Sequence, residues 1–526
     1  MSFELRDRDL LGRIGRLRTK SGEVETPAFM PVINPLLQTL TPRRMRKEFG
    51  CDIVITNSYI IRKQFGDVPD LNVHELLDYG GVVMTDSGAY QILVYGGVEV
   101  TQPEIIDFQK SIGSDIAVIL DIPTGWDVPR GDVEYTVEET LRRAEAALPL
   151  IEDSEALWVG PVQGGRHLDL VARSARSVGE MPYDVHALGS PTEFMERYMY
   201  PVLVDMTMTA KLNLPVERPL HLFGAGHPMV FAMSVAMGCD LFDSAAYVLY
   251  AKDERYLTDR GTVQLQNLQY LPCSCPVCRS HTADGLKAMP RGERQRLIAE
   301  HNLHATMTEI DVVKQAIVEG RLWDLVETRA KGHPQMTAAL KRLSAYREHL
   351  ERGSHGFKGR GVFYYDYHSL AKPEVTRYSR QLINNYGRPE GKTTLLLIPA
   401  PSEKPFNSYP GYLRLREGLQ PRLKEINVCF VAAPYGVVPE SLAETYPLSQ
   451  YEIAEPLDHE TREFTVEKTV EYVEATGHEK VILVIGGDPF DARLGEALRS
   501  STPSMLVLRP ETMWEKETGE QVLRLL

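Results

Sequence analysis

The strongest constraint on the fold is an eightfold alternation in the first half of the chain. Short apolar runs occur at Phe29–Ile33, Asp52–Tyr59, Val82–Ser87, Ile116–Asp121, Leu157–Gln163, Val185–Ser190, Leu220–Gly224 and Leu241–Ser244, with amphipathic stretches between many of them. Several runs are nearly continuous in Val, Ile and Leu, the pattern of strands buried on both faces. Helical spacing is expected over Pro103–Ile112, Val137–Leu150 and Thr192–Leu212. Strand and helix alternating in this way predict an α/β fold, a (β/α)8 barrel.

Polar residues collect at the ends of the runs: Thr56-Asn57-Ser58, Asp86-Ser87, Asp121, Gln163, Gly189-Ser190 and Asp243-Ser244. The C-terminal strand ends of such a barrel form its active-site mouth. One Asp or Ser there is ordinarily a helix N-cap. Three carboxylates and an amide converging on one mouth instead point to a site. Cleavage of a glycosidic C1′–N bond with retention uses two carboxyl groups, one attacking the sugar carbon and one handling a proton on the departing base. Asp86 and Asp243 are placed for that pair. A purine also needs partners for its edge and a ring to stack on. Asp121 and Gln163 suit the edge. Tyr90 is placed to stack, although without context a core aromatic is the commoner reading of such a residue.

The six cysteines are Cys51, Cys239, Cys273, Cys275, Cys278 and Cys429. Three fall within six residues, which is no disulfide framework. Cys273, Cys275 and Cys278 with a downstream histidine complete a closed tetrahedral zinc site of the structural kind. His301 is the expected fourth ligand, and His304 competes on spacing alone. A long helix is expected over Gly292–Gly320, within a zinc module spanning about residues 268–330.

A chain of 526 residues exceeds one ordinary core. The barrel is expected over 1–345, a basic glycine-containing linker over 346–360, and a smaller α/β domain over 361–526. The strands of that domain are expected at Thr394–Pro399, Val428–Ala433, Val481–Ile485 and Met505–Leu508. Gly486-Gly487-Asp488-Pro489 is a turn, too weak a signal for a phosphate loop. The formal net charge of −14, taken alone, argues against a nucleic-acid partner. A phosphate backbone responds to local patches, however. Arg43, Arg44, Arg46 and Lys47 form one, and Lys331–Gly361 holds seven Lys or Arg against two Glu. Met1–Lys20 has no apolar core of a leader and no run suits a bilayer, so a cytoplasmic protein without membrane contact is expected.

Five motifs, in order between about residues 10 and 330, resemble the tRNA-guanine transglycosylase family. Asp86-Ser87-Gly88-Ala89-Tyr90-Gln91 resembles its Asp-Ser-Gly-x-aromatic-Gln signature, and Val162-Gln163-Gly164-Gly165 its Val-Gln-Gly-Gly loop. Leu241-Phe242-Asp243-Ser244 resembles its nucleophile strand, Gly22–Val32 its opening segment, and the cysteine cluster with His301-Asn302 its zinc module. The resemblance implies Asp243 as nucleophile, forming a covalent intermediate with tRNA, and Asp86 as general acid/base. It implies base contacts from Asp121, Gln163, Tyr90, Ser87, Gly189, Ser190 and Thr192, and one structural zinc ion on Cys273, Cys275, Cys278 and His301. Ala187-Leu188-Gly189-Ser190, Asp243–Tyr247 and Tyr250–Asp253 are similar to the archaeal branch. That branch exchanges guanine at position 15 of the tRNA D-loop for free 7-cyano-7-deazaguanine, on the way to archaeosine.

The family resemblance further suggests a homodimer through the zinc region. Two departures stand out. Pro191 follows Gly189-Ser190 where a free backbone N–H is more usual, and proline has none. An archaeal terminal RNA-binding module of the PUA type is not recognisable, which suggests a separate chain or accessory subunit. The alternatives are a queuine-type transglycosylase, an archaeosine synthase-like paralogue that modifies the inserted base, a non-catalytic tRNA-binding subunit, and an unrelated barrel glycosidase.

Overall fold

The chain opens with an antiparallel sheet of β1 (Phe3–Asp9), β2 (Gly12–Thr19) and β3 (Gly22–Thr26) in the computed structural model, which describes residues 2–66, 71–89, 100–487, 489–502 and 504–526. The eight apolar runs then form β4 (Ala28–Ile33), β5 (Ile53–Asn57), β6 (Val82–Asp86), β7 (Ile116–Val118), β8 (Leu157–Val162), β9 (Val185–Leu188), β10 (Leu220–Leu222) and β11 (Leu241–Ser244). All pair in parallel, and β11 returns to β4 to close the barrel. The (β/α)8 expectation holds. Phe3, Leu17 and Val24 of the opening sheet join the barrel's interior cluster.

Strand parity decides what fills the barrel and what reaches its mouth. Ile53 and Ile55, Val82 and Met84, Val185 and Ala187, with Val159 and Leu241, all belong to the interior cluster. Side chains two residues apart share a face. The next inward positions are therefore Asn57, Asp86, Gly189 and Asp243. The pleat that buries Met84 thus delivers Asp86 to the rim just above it.

The helical expectation over Thr192–Leu212 is corrected. The stretch forms two helices, Thr192–Glu196 and Tyr200–Asn213, separated by Arg197–Met199. Pro201 is the cause: without an N–H it suits the first turn of a new helix and not the interior of an old one. The 28-residue helix Arg291–Val318 carries His301 and Asn302 on its buried face.

The chain divides into two compact units, residues 1–354 and 355–526. Arg347–Gly353, within the stretch expected as linker, is helical and belongs to the first unit. The antiparallel hairpin β12 (Arg255–Thr258) and β13 (Gly261–Gln264) also lies there. The second unit contains β14 (Val362–Tyr364), β15 (Thr394–Pro399), β16 (Ile426–Ala432), β17 (Gly436–Pro439), β18 (Tyr451–Ile453), β19 (Lys480–Val484) and β20 (Leu506–Leu508). Five of these form a sheet in the order β17-β16-β15-β19-β20 around its own apolar core. β17 is an addition to the sequence reading. It follows β16 so closely that only an antiparallel return is possible. Among the described residues no helix is long and apolar enough to cross a membrane.

Candidate active site

The barrel mouth opens into a cavity of about 980 Å³ lined by Asp86, Asp121, Gln163, Gly189, Ser190, Thr192 and Asp243. The sequence reading brought these residues together, and the structure places them on one concave surface. Ser87 is the exception. It is fully buried and its hydroxyl donates to the Ile119 carbonyl at 3.1 Å, so it braces the wall behind the cavity. Tyr90 and Gln91 lie outside the described residues.

The two candidate reactive carboxylates are held differently. Asp86 Oδ2 accepts from Asn57 Nδ2 at 2.8 Å and from the Gly88 N–H at 3.3 Å. Asp243 Oδ1 accepts from His221 Nε2 at 2.8 Å and from the Gly224 N–H at 2.9 Å. Both of its donors approach one oxygen, which fixes the orientation of the carboxylate. Desolvation pushes the Asp86 pKa up to about 7, with the nearby charges of Asp121 and then Asp243 adding to the rise. That coupling places the carboxylates within electrostatic reach of one another. Asp86 is therefore poised to release and take up a proton near neutral pH.

Asp121 and Gln163 form a second, rigid assembly. Gln163 Nε2 donates to Asp121 Oδ2 at 2.6 Å. Gln163 Oε1 accepts from the Thr124 N–H and the Ser190 hydroxyl, each at 3.2 Å. Burial raises the Asp121 pKa to about 6, opposed by the Gln163 hydrogen bond. Gly189 makes room for this assembly, since a Cβ there would sit 2.1 Å from Gln163 Nε2. Its own N–H is committed to the Val162 carbonyl at 2.8 Å. Ser190 has φ of 61° and its Oγ also accepts the Thr124 N–H, at 2.8 Å. Pro191 then precedes the helix Thr192–Glu196.

Sequence reasoning missed His221. It stands on the inward face of β10, paired in register with Ala187 and Leu241. Its Nε2 faces the carboxylate and therefore carries the proton, while Nδ1 is buried without a partner. The signal was present in Leu220-His221-Leu222-Phe223, where a histidine occupies an inward position of an otherwise apolar run. Thr124 was missed as well, because it belongs to the loop after β7 and no strand parity reports it.

The cysteine cluster assembles as expected. The ligand atoms of Cys273, Cys275, Cys278 and His301 lie within 4.8 Å of one another, so the set can hold a metal ion. His301 Nε2 is held by the Leu257 carbonyl at 2.9 Å, which turns Nδ1 toward the sulfurs of Cys275 and Cys278 at 3.5 and 3.4 Å. His304 is not part of the set, and its ring packs against Phe49 with centroids 4.3 Å apart. The neighbouring Asn302 accepts the Leu257 N–H at 2.9 Å and donates to the carbonyls of Tyr247 and Arg255. The helix bearing His301 is thereby tied to the segment that follows Asp243. The basic patch at Arg43–Lys47 is largely paired internally: Arg43 with Asp78, Arg44 with Glu48 and Glu300, and Arg46 with the Gly80 carbonyl.

A family model described as queuine tRNA-ribosyltransferase matches residues 8–335, and one described as a domain of unknown function (DUF5591) matches residues 375–510. A tRNA-guanine(15) transglycosylase of Aeropyrum pernix is 51% identical over 381 residues, covering 72% of this chain and 74% of its own. Its namesake in Sulfolobus acidocaldarius is 40% identical over 510 residues, 94% of this chain and 99% of its own. That of Haloferax volcanii is 42% identical over 467 residues, covering 88% and 86%. The family model spans more than half of the sequence and these identities extend over most of each relative: the chain belongs to the queuine tRNA-ribosyltransferase family.

Proposed function

We propose that this protein exchanges guanine at position 15 of tRNA for 7-cyano-7-deazaguanine, the activity that the names of its relatives and the archaeal resemblance together suggest. The observation that carries the reading is a pair of carboxylates on one mouth, with a purine-edge assembly beside them. Asp243 attacks C1′ of the ribose through a carboxylate oxygen. The C1′–N9 bond breaks, its electron pair goes to N9, and Asp86 supplies the proton that lets guanine leave neutral. The incoming base loses its N9 proton to Asp86 and attacks C1′, which frees Asp243. Retention follows from the two inversions.

Asp121 and Gln163 bind the Watson–Crick edge of the base, and Ser190 and Thr192 border the pocket that takes its substituent. The metal held by the three thiols and His301 is zinc, whose role is structural because four protein ligands leave no open position. The test is incorporation of labelled guanine into tRNA. Wild type incorporates the label and Asp243→Ala does not. A wild type that binds tRNA yet exchanges no base would instead favour a tRNA-binding subunit.

A further inference from the structure

Away from the carboxylates, the same cavity runs outward to a wall of rings. Tyr198 lies between the helices Thr192–Glu196 and Tyr200–Asn213 with φ of 56°. A bulky residue keeps that left-handed conformation only where its surroundings impose it. The Tyr198 ring lies on the His333 imidazole, with centroids 4.9 Å apart and planes at 17°, and meets Tyr200 edge-on at 6.1 Å. His333 is itself anchored, because its Nδ1 accepts the Gln335 N–H at 3.1 Å as the cap of the helix Pro334–Leu343. Tyr198 nevertheless remains 53% exposed. A ring held this firmly, and still open to solvent on a cavity wall, presents a fixed flat surface.

The surroundings supply positive charge. Lys252 and Arg255 line the same cavity, and the Arg255 guanidinium stands 5.3 Å from the centroid of Tyr250. Tyr250, Tyr198 and Glu196 line this cavity together with Arg255. Arg255 has only a 3.8 Å exposed contact with Asp253, and Lys252 has no ion pair among the described residues. Exposed pairs of that kind leave a cation free to meet a phosphate.

We propose that the exposed face of Tyr198, seated on His333, is a stacking platform for the nucleobase next to the exchanged guanine, with Lys252 and Arg255 taking the flanking phosphates. The proposal rests on the transglycosylase reading. A base that enters the cavity leaves its stack, and its neighbours lose a stacking partner. An aromatic surface beside a cationic track is how unpaired nucleic acid is held without regard to sequence.

The test uses the full chain and tRNA carrying 2-aminopurine in place of either nucleotide flanking the exchanged guanine. Stacking on Tyr198 is expected to quench the probe at one flank in wild type and in Tyr198→Phe. Tyr198→Gly, which accommodates the left-handed φ, is expected to abolish that quenching and to weaken tRNA binding roughly 5- to 150-fold, with the KM for free guanine unchanged. Absence of quenching at both flanks in wild type, or undiminished quenching and affinity in Tyr198→Gly, would overturn the platform. Tyr198→Asn, which also tolerates the left-handed φ, carries the same expectation if the glycine variant does not fold, and undiminished quenching in it would likewise overturn the platform. Guanine exchange by wild type is assayed alongside. Its absence sinks the transglycosylase reading, whereas exchange with no dependence on Tyr198 sinks the platform alone.

Discussion

At the scale of single residues, two side chains of the barrel mouth carry predictions. Asp86 carries a pKa raised from 3.8 to about 7, chiefly by desolvation. Between those values the folded state keeps a proton that the unfolded chain releases, so this group's contribution to stability falls as pH rises through the window. Asp86→Asn is expected to remove that part of the pH dependence in thermal melts while abolishing exchange. In wild type, guanine release is expected to decline as pH rises through about 7, because the proton donor is being lost. His221 is the second. It holds Asp243 Oδ1, the oxygen that also accepts the Gly224 N–H, and so positions the carboxylate with its other oxygen left to attack. His221→Phe is expected to lower kcat for exchange about 10- to 100-fold while tRNA affinity, measured by titration, stays unchanged. Asp86 and Asp243 could be read from sequence because each closes an apolar run at an inward position. Asp121 obeys no such parity, since β7 ends at Val118 and the chain leaves the strand before reaching it. His221 escaped notice because it lies within a run and not at its end.

At the scale of elements, the metal module acts as a brace. Asn302 joins the His301 helix to the carbonyls of Tyr247 and Arg255, and Tyr256 stacks on the His301 ring with centroids 3.5 Å apart. A metal ion held by this set would couple its binding to the folding of the region. Cys275→Ala is expected to lower both the bound zinc, measured by metal analysis, and the melting temperature. Loss of activity with full metal content and normal melting would argue against the brace. The module was readable because its ligands fall in one short cluster plus one helix position. The break at Arg197–Met199 was hidden because apolar residues on both sides keep an approximately helical spacing across it. Only Pro201 marked the restart, and it is that restart which presents Tyr198.

At the scale of the whole molecule, the acidic total charge of −14 does not preclude a polyanionic partner. Cations on the cavity wall act locally, and each phosphate neutralised adds to the salt dependence of binding. tRNA affinity, followed by fluorescence anisotropy, is expected to fall steeply between low and physiological ionic strength. An affinity indifferent to salt would remove Lys252 and Arg255 from the binding surface. Every described residue assigned to base chemistry or to the metal lies in the unit of residues 1–354. The α/β character of residues 361–526 was apparent from their apolar runs, but their task was not, because the sequence shows no catalytic constellation at the ends of those runs as it does in the barrel.

Asp243 is expected to become covalently joined to the ribose during exchange. Wild-type protein is incubated with tRNA, the reaction is quenched in denaturant, and the adduct is digested and located by mass spectrometry. A ribosyl group is expected on the peptide containing Asp243, and no adduct with Asp243→Ala. An adduct mapped to another residue, or one that survives in Asp243→Ala, would contradict it.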